Sequence, residues 1–88
     1  MNNQLIIEIT VFDDDSRRIE SIKYGDRILA TWNDKKQNIN LSVLNPHIQK
    51  EATLIYNISG QQLKKKCFIN CINKIDGIES VEFLEIEK

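Results

Sequence analysis

The residues of this chain best suited to chemistry are two cysteines, Cys67 and Cys71, and the chain has no others. Thiolates bind zinc and carry out redox reactions. However, structural zinc normally takes four ligands, and thioredoxin-type motifs place two residues between their cysteines, near a helix start. Here three residues intervene, and the single histidine, His47, belongs to a distant turn-forming segment. The spacing predicts two small side chains buried on one helical face, with half a metal site as the alternative.

A second candidate site is the acidic run Asp13, Asp14 and Asp15, followed by Ser16. These carboxylates could gather a divalent cation, but the run lacks the spaced acidic positions and the glycine of a calcium loop. The alternative is a helix start, where carboxylates and hydroxyls accept from free amides. If the chain binds a small ligand, we expect these four residues to hold it, beside free helix amides. We predict no metal site, no cofactor and no catalytic residue.

Size and charge restrict the function classes. The 88 residues predict one domain, residues 1–88, and the 41% of apolar residues is ordinary for a folded protein. Twelve basic and thirteen acidic residues leave a net charge of −1, so the overall field that attracts nucleic acid is absent. No segment is long and apolar enough to span a bilayer, and no signal peptide opens the chain. We therefore expect a cytoplasmic location, either alone or as the cytosolic part of a membrane protein.

The first half of the chain must position the acidic run. Alternating apolar residues in QLIIEITVF predict a strand that ends just before Asp13. From residue 17 to about residue 33, apolar residues recur in steps of three and seven, which favours a helix broken or kinked near Gly25. A hairpin turning at the sequence YGD is the alternative. INLSVL then alternates like a second strand, and NPH predicts a turn.

The second half must position the cysteines. EATLIYNIS predicts a central strand, since Ile55 adds an apolar residue to its polar side. Ser59 and Gln62 have the spacing of a helix capping box, and Gly77 stands where a helix C-cap is expected. The residues between them predict a helix with one apolar stripe, formed by Leu63, Cys67, Phe68, Cys71, Ile72 and Ile75. IESVEFLEIE predicts a last strand with a bulge near its Phe-Leu pair.

Taken together, these elements run strand, helix, strand, strand, helix, strand. For a chain of this length the order predicts an α+β, ferredoxin-like βαββαβ fold, with a four-stranded antiparallel sheet and both helices on one face.

An RNA-binding sheet of this topology would carry exposed aromatic residues among basic ones on its central strands. The predicted central strands have one tyrosine and no lysine or arginine, so we expect no nucleic-acid partner.

Residues 37–87 resemble the later part of an ACT domain. The segment NINLSVLNPHIQKEATLIYNIS, then a predicted helix, then INKIDGIESVEFLEI follows that family's layout, with Gly77, Ile78 and Val81 matching its closing GV-x-x-V pattern. The same layout is similar to the ACT-like cytosolic tail of MgtC-type membrane proteins. The first half departs from the family, because FDDDSRRIES lacks the glycine of the usual ligand loop. The resemblance implies a small non-catalytic module that pairs with itself or with a neighbouring domain.

Our leading hypothesis is therefore a regulatory or oligomerisation domain of a larger protein, able to sense a small ligand. Its expected partners are a second copy or other domains of a parent protein, without nucleic acid and without membrane insertion by this segment. One alternative is the cytosolic C-terminal domain of an MgtC-type transport-related protein. Another is a metal-handling domain. A small acylphosphatase-like enzyme has less support, because the first loop lacks a glycine-rich phosphate cradle with an arginine.

Overall fold

The computed structural model describes residues 5–14 and 18–86, which form a curled six-stranded sheet and one short 3-10 helix. The strands are β1 (Ile7–Val11), β2 (Ile19–Tyr24), β3 (Arg27–Thr31), β4 (Glu51–Ile58), β5 (Gln61–Ile75) and β6 (Ile78–Glu85), and the 3-10 helix is Leu41–His47. Their order in the sheet is β3-β2-β1-β4-β5-β6. Only β1 and β4 run parallel among these neighbours, and the others pair antiparallel. The predicted α+β, ferredoxin-like βαββαβ fold is therefore wrong.

The strands predicted around β1, β4 and β6 are confirmed. In β1, Ile7, Ile9 and Val11 are buried while the residues between them are partly exposed, as the alternation predicted. β4 is a central strand, and Ile55 on its second face is only 6% exposed. Period-2 alternation identified these segments correctly because one face of each packs against the core.

The predicted first helix is wrong, since its residues form the β2–β3 hairpin that was the alternative. The chain turns at Gly25, whose φ of +63° is a left-handed conformation that favours glycine. A Cβ atom there would also lie 3.1 Å from the Leu5 side chain. Val11 pairs with Ile19 but Thr10 pairs with Ser21, so Glu20 is an extra residue in β2. This bulge places Ile19 and Ile22 three positions apart on the core side, which imitates a helical step.

The predicted strand INLSVL is also wrong, because the 3-10 helix begins inside it. The Asn40 side chain caps this helix, accepting from the amide of Ser42 at 3.2 Å and from its hydroxyl at 2.6 Å. Leu41 and Leu44 are buried, which is the step of three that suits a 3-10 helix. The segment predicted to turn at Pro46 forms the last residues of this 3-10 helix.

The predicted second helix is wrong as well, because its residues form β5, the longest strand. The supposed capping box starts instead with a two-residue hairpin turn, in which Ser59 and Gly60 have φ values of 51° and 79°. Asp76 and Gly77, at 54° and 80°, form the turn from β5 to β6. Two successive positive φ angles are typical of type I′ turns, whose twist suits a hairpin. The Gly77 position is therefore a turn and not a helix end.

A bulge in β5 explains the helix-like pattern. Ile69 pairs with Phe83 and Cys71 pairs with Glu82, so Asn70 is the extra residue. The inward-facing series changes phase at this point, from Cys67 and Ile69 to Ile72, which gives steps of two and three. A bulge was predicted in the last strand, but the extra residue lies in its partner β5.

The core occupies the concave side of the sheet, under the 3-10 helix. Leu44 of that helix is completely buried against the sheet, and the helix also approaches the two outer strands, β3 and β6. The buried cluster consists of Ile7, Ile9, Val11, Ile19, Ile22, Ile39, Leu41, Leu44, Ala52, Leu54, Cys67 and Ile69. The crossover from β3 to β4 thus closes one face of the sheet, in the role that the two predicted helices were expected to have.

The hairpin turns give a direct test of this fold. We expect Gly60→Ala to lower the free energy of unfolding by about 1–2 kcal/mol, the usual cost of a left-handed conformation for a residue with a Cβ atom. The added methyl group meets nothing within 4 Å, so the cost is conformational.

Ser59→Asn should raise stability by about 0.5 kcal/mol, since Asn-Gly suits a type I′ turn. Urea unfolding measures both, and a neutral Gly60→Ala variant would contradict the assigned turn.

Candidate functional site

The predicted ligand site lies at the bend after β1. Asp13 and Asp14 are exposed there, while Asp15 and Ser16 fall outside the described residues. The next described element is the strand β2. No helix directly follows the acidic run among the described residues, so the free helix amides on which the prediction depended are not there. The predicted ligand site therefore loses its original rationale. Asp14 instead forms an exposed ion pair with Arg18, at 3.2 Å between Oδ2 and Nη2.

Arg18 links this bend to a cluster of aromatic side chains. Its guanidinium carbon lies 4.7 Å from the centre of the Phe12 ring and 5.0 Å from that of Trp32. The two rings contact each other edge to face, with centres 5.7 Å apart. Such cation–π contacts contribute about 0.5–1 kcal/mol each at exposed sites. They hold the charged group of Arg18 on the aromatic surface, beside a large cleft.

That cleft, of about 820 Å³, separates two parts of the chain. One side, here the loop wall, comprises residues 18–19, 32 and 36–41, and the other, the arm wall, comprises residues 74–83. The lining side chains are polar and apolar in similar measure: Arg18, Ile19, Trp32, Lys36, Gln37, Asn38, Ile39 and Leu41 on the loop wall, and Lys74, Ile78, Glu79, Ser80, Val81 and Phe83 on the arm wall. The volume lies in the range of ordinary binding clefts.

The loop wall is shaped by one asparagine. The Asn33 side-chain oxygen accepts from the amides of Lys35 and Lys36, at 2.9 and 3.0 Å. The backbones of Asn33 and Asn38 also bond to each other, at 2.7 and 3.3 Å. Side-chain acceptors of this kind fix tight turns. They present Lys36 at the cleft, in the loop that follows Trp32 and the end of β3.

The arm wall lies on the β5–β6 hairpin. We call the end of this hairpin, residues 71–81, the arm; Phe83 of the arm wall lies just beyond it. The bulge at its base is held by Gln49, whose side-chain amide donates to the backbone and side-chain oxygens of Asn70, at 2.9 and 3.0 Å. The backbone N–H of Gln49 also donates to the backbone carbonyl of Ile69, at 2.6 Å. At the tip, Ile75 and Ile78 are 68% and 72% exposed. The arm therefore presents apolar side chains to solvent at one rim of the cleft.

The arm wall also carries an unpaired strand edge. Within the described residues β6 pairs only with β5. The Ile86 amide donates to Lys66 of β5, and backbone groups alternate in direction along an antiparallel strand. The alternation directs the backbone groups of Glu85, Phe83, Val81 and Glu79 away from β5. Three of these four residues, Glu79, Val81 and Phe83, line the cleft, so the cleft runs beside free donors and acceptors of the main chain.

The two cysteines do not share a face. Cys67 is completely buried in the core, where its thiol donates to the Ala52 carbonyl at 3.6 Å, which confirms the prediction of a buried structural residue. Cys71 follows the bulge, is half-buried, and lies 3.2 Å from a Glu82 carboxylate oxygen. That hydrogen bond raises the pKa of the Cys71 thiol. Burial raises the pKa of Cys67 to about 11, assisted by Glu51 and Glu85. Both shifts favour the unreactive thiol over the thiolate.

Among the described residues, neither His47 nor a group of metal-binding side chains forms a second candidate site. The His47 ring lies 5.0 Å from Tyr24, and burial, followed by the charge of Lys50, lowers its pKa. In the part of the chain that the structure describes, no three His, Cys, Asp or Glu side chains are grouped so that they could hold a metal ion. Likewise, none of the helices described there is long and apolar enough to cross a membrane.

The buried thiol predicts a specific pH dependence of stability. Because the pKa of Cys67 rises from 9.0 to about 11 on folding, its contribution is complete below pH 9.0 and is lost as the pH rises towards 11. In that interval the unfolded state releases the proton first, so stability should fall by up to about 1.4 kcal/mol per pH unit. Urea unfolding of the native protein and of Cys67→Ala at several pH values isolates this slope. Parallel pH profiles for the two proteins would contradict the assignment.

Comparison with known proteins gives no match: none of the protein-family models, curated proteins or solved structures is significantly similar to this chain. The resemblance to ACT domains and to MgtC-type tails therefore stays a prediction, while the ferredoxin-like fold predicted from the order of the elements is absent.

Proposed function

We propose that this chain is a non-catalytic interaction domain that binds an extended segment of a partner polypeptide. The segment adds as a strand to the free edge of β6 and lies in the cleft between the loop wall and the arm wall. The unpaired β6 edge beside an 820 Å³ cleft carries the proposal. In strand addition the main chain supplies affinity, and alternate side chains entering pockets supply specificity.

The lining of the cleft fits such a segment better than a compact small molecule. Polar and apolar groups contribute about equally, whereas small-molecule pockets are mostly apolar with few polar groups. A bound strand would place alternate side chains over Trp32 and Ile39 of the loop wall. Its other side chains would point towards the outer face of the sheet, away from the core.

The proposed partner is a different polypeptide or another segment of a parent protein, and not the same edge of a second copy. Pairing of β6 with β6 would bring six carboxylates into one ladder, from Glu79, Glu82 and Glu85 of each copy. Like charges across neighbouring strands are destabilising. A regulatory role in a larger protein, in the cytoplasm, is consistent with this binding mode and with two free thiols.

Strand addition can be tested without knowing the natural partner. The probe is a displayed library of random linear peptides, each about ten residues long, the length of a long strand. We expect peptides to be enriched on the immobilised chain. In NMR spectra of the isotopically labelled protein, peptide binding should slow the hydrogen exchange of the backbone amides of Glu79, Val81, Phe83 and Glu85.

A proline on the free edge provides the matched variant. Glu79→Pro removes an amide that points away from β5, so the β5–β6 ladder is kept. Glu79→Ala removes the same carboxylate as Glu79→Pro but keeps the backbone N–H, so it serves as the reference. The proline variant should bind an enriched peptide about tenfold more weakly, since one main-chain hydrogen bond is lost and the ring obstructs the edge. Equal affinities of the two variants, or protection confined to other strands, would refute strand addition.

A further inference from the structure

We infer that the segment added to β6 carries a lysine or arginine directly opposite Glu82, between two apolar residues that enter the cleft. The inference rests on the proposed function, because it names the chemistry of the partner at the same site. It follows from the way side chains alternate along β6, the last strand of the described sheet.

The strand β6 presents different chemistry on its two faces. Val81 and Phe83 line the cleft and pack, half-buried, against the core. Glu82 between them is exposed and does not line the cleft, since successive residues of a strand point to opposite faces. An added strand follows the same alternation. Its residue opposite Glu82 therefore lies on the outer face, and the residues on either side of it face the apolar surface of Trp32 and Ile39.

The Glu82 carboxylate has no cation beside it. Among the described residues it takes part in no ion pair, and it accepts a hydrogen bond from the neutral Cys71 thiol at 3.2 Å. Its neighbours on the outer face of the β5–β6 ladder are all uncharged: Phe68, Cys71, Asn73, Ser80 and Leu84. The negative charge of Glu82 is thus left for a partner to balance.

The two other glutamates of β6 each have a lysine nearby. Glu79 lies directly across the ladder from Lys74, and the Glu85 carboxylate is 4.0 Å from the Lys65 ammonium group. Acidic residues of a partner would be disfavoured beside either of them, but neither requires a new cation. The position opposite Glu82 is therefore the one at which the edge specifies a charge.

The ladder geometry brings that position close. Because the outward-pointing backbone groups belong to the odd-numbered residues of β6, Glu82 occupies a non-hydrogen-bonded position towards an antiparallel guest. Facing Cα atoms there are about 4.5 Å apart, against about 5.5 Å at the hydrogen-bonded positions. An acidic residue would be repelled, and an apolar one would shield the carboxylate from water without pairing with it.

A long basic side chain also suits the surroundings of Glu82. Phe68 and Leu84 pair directly on the outer face and are 41% and 48% exposed. The methylene groups of a lysine or arginine can cover such apolar surface while the charged end meets the carboxylate. The basic side chain would be separated by the guest backbone from Lys36, which lines the cleft.

A charge exchange across the new ladder tests this pairing. Peptides enriched on the native chain from the same library should carry Lys or Arg between two apolar residues. Changing that basic residue of the peptide to Glu should weaken binding to the native chain about fivefold, and the Glu82→Lys variant should recover most of the loss. Added salt should reduce the difference between the two peptides on the native chain.

The control is Glu51→Lys, which makes the same charge change on the same face of the sheet. Glu51 lies opposite Phe68 in β4, so β5 and β6 separate it from the free edge. This variant should keep the native preference for the basic peptide. Recovery by Glu51→Lys equal to that by Glu82→Lys would show a general effect of net charge and would overturn the pairing.

The outcomes separate the two proposals. Enriched peptides that protect the β6 edge without a basic residue between apolar ones would overturn the pairing with Glu82 and leave strand addition standing. A Glu-bearing peptide that Glu82→Lys does not recover would have the same meaning. A library that yields no enriched peptide would overturn both. A dimer of the chain that Glu79→Pro abolishes would show that a second copy occupies the edge, and would overturn the choice of a foreign segment.

Discussion

The parallel pairing of β1 with β4 is the constraint on which the rest of the structure depends. It joins Ile7 to Ala52 and Ile9 to Leu54, and all four are nearly or completely buried at the centre of the sheet. Parallel neighbours cannot be joined by a tight turn, so the chain between them must leave the sheet and cross over one face. The chain first adds β2 and β3 to the same sheet, and the crossover from β3 to β4 then carries the 3-10 helix. The helix covers the concave face because the connection has to pass over it.

Bulges bend the strands of this sheet, and the bends bring the two walls of the cleft together. Each extra residue increases the local twist and bends its strand. The breaks occur near Thr10, near Ile22 and between Ile69 and Cys71. The last one coincides with the base of the arm, where Gln49 bonds to Ile69 and to the extra residue, Asn70. Without such bends, the hairpin end and the loop after β3 would lie at distant parts of a flat sheet, and Trp32 would not share a cleft with Val81.

The same bulges limited what could be predicted from the sequence. Strands without an internal bulge, such as β1 and β4, were predicted correctly from alternation alone. In β2 and β5 an extra residue changed the phase of the apolar pattern, and steps of three or more imitated a helix. The Asp76-Gly77 dipeptide between two apolar-rich runs was an available hairpin signal, but the same glycine also suited a helix end. Trp32 is half-buried, and its neighbours in the cleft come from distant parts of the chain, so they left no local pattern in the sequence.

The arm has a further consequence for the dynamics of the molecule. Residues 73–80 are all exposed, so beyond the bulge few buried contacts join this hairpin to the core. Segments of that kind open and close as separate cooperative units, with local free energies well below that of global unfolding. One rim of the cleft is thus a weakly protected part of the sheet. A molecule that binds both this rim and the loop wall would suppress such local opening, so part of its binding free energy would offset the conformational entropy that the hairpin loses.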